Sequence, residues 1–287
     1  MRTNIIGLIT FMSSICFLVA CKLGNTIARN KNVNAMVERN TAVMREQTCE
    51  PKQEIKPEDV AGTQLIGLNS VDLASVNVAI STVLKAAPKI VADTFLARGP
   101  KDGRATGYVA VHGRYDASLC KSRTDGDTTV SGANNSGAAA CWTVDKGRHV
   151  IRIFALPGAN ADIIKKLIHN YLLVELGFLY DDYMMYLAGQ DLEKLTGKDP
   201  KVSQINAAGI KAKINEYVAF RDALAAELMA KDTDKKDEKT LKNLKSLFMA
   251  ESVDSYYCSQ ATRSDFETKI PGSFKIFSEH AASFFGK

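Results

Sequence analysis

The hydrophobic period of this chain changes character at Pro157, and that change limits the folds open to it. Upstream, GYVAVHGRY (107–115) and HVIRIFAL (149–156) are β-branched, and GYVAVHGRY alternates as strands do when successive side chains face opposite ways. DTTVSG (127–132) reads as a further strand, with GANNSGAAA as a flexible loop between it and HVIRIFAL. Beyond Pro157 the apolar residues recur at helical spacing over roughly 160–190, 201–230, 239–258 and 273–285. Ahead of the strands, VDLASVNVAISTVLKAAPKIVADTFL (71–96) is helical too, interrupted near Pro88, whose missing N–H breaks a helix interior. Helix, small sheet, then a helical C-terminal half predicts an α+β fold without internal repeats. With 287 residues, 46% apolar and 24% charged, the chain can bury a sizeable core.

The N-terminus constrains location. MRTN is followed by IIGLITFMSSICFLVA (5–20), an apolar run of signal-peptide length, too short and too early for a spanning helix. It ends in Leu18-Val19-Ala20-Cys21, which looks like a bacterial lipobox. That resemblance implies cleavage before Cys21, a lipid on its sulfur, and a mature chain anchored to a membrane of the cell envelope. The expected organisation is a signal peptide over 1–20, a polar tether over 21–64, and one folded domain over 65–287. The net charge of +5 is mild and its basic residues are interleaved with acids, so no nucleic-acid footprint is expected. KDTDKKDEK (231–239) reads as a solvated linker or helix end.

Export places the remaining cysteines, Cys49, Cys120, Cys141 and Cys258, in an oxidising compartment. Four cysteines allow three pairings, and none of them forms C-x-x-C. Cys120 with Cys141 is preferred because a loop-rich segment separates them. Cys49 with Cys258 would then tie the N-terminal segment to the C-terminal helices.

Two segments bear on chemistry. LIHNYLLVEL (167–176) sets one histidine in an apolar helix, and SLFMAESVDSYYCSQATRSDFETKIPGSFKIF (246–277) lies on the later helices. Together they resemble the lethal-factor-like, gluzincin group of zinc metallopeptidases: His169 in the helix, then Ala250-Glu251, Ser255 through Cys258, Pro271, and Phe274 through Phe277 in order. The resemblance implies a zincin-like fold that binds extended substrate against an edge strand. In that family a helix carries H-E-x-x-H, two zinc ligands one turn apart with a glutamate base beside them.

Position by position, the family's first zinc histidine corresponds to His169. Its general base falls on Asn170, whose amide cannot take a proton near neutral pH. Its second histidine falls on Leu173, and its glutamate ligand on Leu247, so base and two of three ligands are replaced. The resemblance therefore implies a catalytically inactive relative, with no metal or other cofactor and a binding or scaffolding role toward a peptide or protein partner. GYVAVHGRY or HVIRIFAL would supply the strand edge for it. The alternative is a divergent zinc peptidase that rebuilds a site from His169 with Glu251 or His280. Asp181-Asp182, between Tyr180 and Tyr183, reads as the exposed face of a helix.

Overall fold

The computed structural model describes residues 48–53, 62–96, 107–120, 139–145, 148–189, 207–229 and 238–286. The proposed signal peptide, Cys21, and DTTVSG lie outside them. The described chain is α+β, with four strands and seven helices among the described residues. Strand β1 (Thr63–Ile66) leads into α1 (Leu73–Ala86) and α2 (Lys89–Leu96). Then come β2 (Gly107–His112), a 3-10 turn at Ala117–Cys120, β3 (Ala140–Asp145) and β4 (Arg148–Phe154). The rest is α3 (Ala161–Ala188), α4 (Ala207–Met229), α5 (Glu238–Tyr257), α6 (Gln260–Lys269) and α7 (Pro271–Phe285).

The sheet order is β1-β2-β4-β3. β1, β2 and β4 run parallel, and β3 returns antiparallel along β4, with Trp142 opposite Ile151 and Cys141 opposite Arg152. This corrects the expected binding edge. GYVAVHGRY and HVIRIFAL form β2 and β4, and both are paired on both sides. The outer strands are β1 and β3. Both are short, and ACWTVD (140–145) begins inside what the sequence presented as loop.

Alternation gives the sheet two different faces. Val109, Val111, Trp142, Ile151 and Ile153 join the main core with apolar residues of α1 and α3. On the opposite face Cys141 and Phe154 pack under Tyr115, Leu119 and Cys120. The 3-10 turn is fastened there by the Cys120–Cys141 disulfide.

Helix α3 is the axle of the molecule. Asn160 accepts a bond from Ile163 N to start it, and its residues from Leu172 to Asp181 are buried on every side. At Gly177 the backbone of α5 comes close: a Cβ there would lie 2.8 Å from Ala250 Cα. The segment expected as one helix over 273–285 is preceded by a separate one, α6. Ser259 and Thr262 form its capping box, and Pro271 sits in the first turn of α7, where its missing N–H costs nothing.

Residues 48–53, expected within the tether, belong to the fold. Cys49 is buried and bonded to Cys258, as expected. Glu50 N donates to Cys258 O at 2.6 Å, and the Glu50 carboxylate accepts from Gln260 N at the start of α6. Lys52 Nζ donates to Tyr257 O at the end of α5, and Gln53 Nε2 to Leu84 O and Ala87 O at the end of α1. This short strap satisfies polar groups that helix ends leave without intrahelical partners.

Candidate functional site

His169 lies on the inner side of α3, 9% exposed. Its Nδ1 accepts the Cys49 N–H at 3.2 Å, and the Cys49 sulfur lies 3.7 Å from the His169 carbonyl oxygen. Burial holds the imidazole pKa below its usual value, so it is neutral and fit to accept. The strap therefore occupies one ring nitrogen of the histidine that the sequence resemblance would make a metal ligand.

The other positions named by the resemblance serve local bonding and packing. Asn170 Nδ2 donates to Lys166 O, a bond within its own helix. Leu173 is fully buried in the main core. Leu247 joins a separate small cluster with Val174, Phe178 and Ala250 where α5 crosses α3. The two leucines thus fill different apolar clusters.

The proposed substitutes do not gather around His169. His280 is exposed on α7, its ring 5.0 Å from Phe220 and 6.1 Å from Phe284. Glu251 is half-buried on α5. Among the described residues, the group of three or more donors close enough to share an ion is Cys49, Asp254 and Cys258, and both cysteines are committed to the disulfide. Cysteine binds a metal as its thiolate, and a disulfide supplies none.

Two buried carboxylates went unrecognised in the sequence. Glu175, 3% exposed on α3, accepts the Trp142 N–H of β3 at 2.7 Å. It thereby fills an outward backbone position on that sheet edge. Asp181, read as exposed, is fully buried. Its Oδ1 accepts from Arg221 Nε at 2.8 Å and Tyr217 OH at 3.0 Å, and its Oδ2 from Ser246 Oγ at 2.8 Å. Arg221 also donates to Ser246 Oγ, so the network joins α3, α4 and α5. Asp181 pushes the Tyr217 phenol, already raised by burial, further up. Every polar atom of this carboxylate is used in holding helices together.

The aromatic residues of the SYYC stretch also serve packing. Tyr256 and Tyr257 pack on Phe277, while Arg263 lies 4.0 Å over the Tyr256 ring and Lys52 5.6 Å over that of Tyr257. No helix among the described residues is long and apolar enough to cross a membrane. Comparison with family models, curated proteins and solved structures produced no match for this chain.

Proposed function

We propose that this chain is a lipid-anchored envelope protein with a degenerate zincin-like metallopeptidase fold and a non-catalytic binding or scaffolding role. The observation that carries the reading is the occupation of the peptidase positions: His169 Nδ1 holds the Cys49 N–H, while Leu173 and Leu247 lie in apolar clusters. A mixed sheet with an antiparallel outer strand packed on a long helix is compatible with a zincin ancestor. Two disulfides suit an exported protein. The binding surface moves from the inner strands to β1, because Glu175 occupies the Trp142 N–H on β3. Among the described residues no strand pairs with the outer side of β1, and Gln64 and Ile66 are exposed there.

The test is elemental analysis of the full chain, purified oxidised and without chelators, with excess zinc then offered and removed by gel filtration. The expected result is no stoichiometric zinc and no cleavage of a mixed peptide substrate. One tightly held zinc, lost in His169→Ala, would establish the divergent peptidase instead. The anchor is tested separately by fatty-acid labelling in a bacterial host, which Cys21→Ser should abolish.

A further inference from the structure

The sheet face turned away from the helices carries more unmet polar capacity than a merely structural surface needs. Arg152 on β4 is 9% exposed, and the bond made by its guanidinium is a 3.3 Å contact from Nε to Leu119 O. Among the described residues it has no carboxylate partner. His112 on β2, 8% exposed, has a buried Nε2 with no hydrogen-bond partner. Thr143 on β3, 5% exposed, has a buried hydroxyl in the same condition.

The register puts these three on one side. Arg152 stands opposite Ala110 on β2 and Cys141 on β3; His112, level with Phe154, and Thr143, level with Val150, share its face as diagonal neighbours on either side of it along the sheet. The nearby carboxylates are engaged elsewhere: Asp116 accepts from Ser118 N and Oγ, and Asp145 from Tyr108 OH. A desolvated cation without a counter-charge is costly, and clustered unsatisfied polar atoms mark the place of an ion or ligand. Guanidinium is also the side chain best matched to a planar or tetrahedral oxyanion.

We propose that this face holds an anion-binding site, in which a carboxylate or phosphate group seats on the Arg152 guanidinium with His112 as the neighbouring donor. The site is independent of the zinc positions around His169, which belong to the opposite side of the sheet. His112 reports on it directly. Its pKa is depressed to about 4 by burial first and by Arg152 second, with Asp116 opposing, so neutralising Arg152 must raise it.

The experiment follows the His112 ring by NMR in the full oxidised chain, titrated in turn with sodium phosphate and sodium acetate at ionic strength fixed by chloride. The expected result is a saturable shift with at least one anion, and a His112 pKa raised by about one unit at saturation. Which anion saturates first distinguishes a phosphate ligand from a carboxylate one. Arg152→Gln should weaken binding about tenfold or more. If that variant fails to fold, judged by the fluorescence of the single tryptophan, Trp142, the loss is read in Arg152→Lys, which keeps the charge but not the bidentate fork. A linear, unsaturable response to both anions overturns the proposal, and so does affinity unchanged in every folded variant.

Discussion

At the scale of single residues, His169 has a structural task that its sequence context does not announce. Its imidazole is neutral because burial disfavours the charged form, and a neutral ring nitrogen serves as an acceptor for a buried backbone N–H. Removing it leaves the Cys49 N–H buried without a partner, at a cost of about 1–3 kcal/mol, plus the cavity left by the ring. His169→Ala should therefore lower the midpoint of urea unfolding while zinc content and peptide hydrolysis stay where they were. An unchanged midpoint would remove the structural role assigned to the ring. The sequence showed that Asn170 and Leu173 cannot serve zinc, because that follows from side-chain chemistry alone. It could not show what His169 does instead, since its partner lies 120 positions away.

At the scale of elements, the contacts of α3 decide two outcomes that sequence rules alone would get wrong. Gly177 lies in a helix interior, where alanine is ordinarily better by about 1 kcal/mol. Here a Cβ would lie 2.8 Å from the Ala250 backbone, so α5 would have to shift. Gly177→Ala should destabilise by about 1–3 kcal/mol in chemical denaturation, reversing the sign of the propensity. Asp181 is a second case. Asp181-Asp182 looks solvent-facing, but neighbours on a helix are turned by about 100°, and only the first points at Arg221 and Ser246. Asp181→Asn or Arg221→Met alone should each cost about 3–5 kcal/mol by leaving a buried charge unpaired. The double variant should cost clearly less than their sum, and strict additivity in that cycle would mean the pair is not coupled. The long periodic helices were legible because their pattern repeats over many turns. β1 and β3, at four and six residues, offer too few repeats, and α6 buries little beyond Phe266.

At the scale of the whole molecule, the fold is closed by the strap and defended by neutral histidines. Cys49–Cys258 spans 209 positions and Cys120–Cys141 spans 21. In the chain-entropy account these are worth about 5 and about 3 kcal/mol. Replacing the first pair by alanines also frees the strap that caps α1, α5 and α6, so it should lower the melting temperature more than replacing the second. The reverse order would show that the strap contributes little. Acid should expose the other half of this design. His112, His149 and His169 all have pKa values held below normal by burial, so the native state binds their protons less readily than the unfolded chain. Above the ordinary histidine value of about 6.5 both states are neutral, and these groups add no pH dependence. As pH falls below it, the unfolded chain takes up protons that the native state refuses, and stability drains away until the folded values are passed, near 4 for His112. Melting temperature should hold nearly level from pH 7.5 to about 6.5 and fall between there and pH 5, before most carboxylates titrate. In His112→Phe, which keeps a ring against Phe154, the fall should be shallower. A melting temperature that is flat or rising toward pH 5 would mean that these rings reach water and carry protons in the native fold.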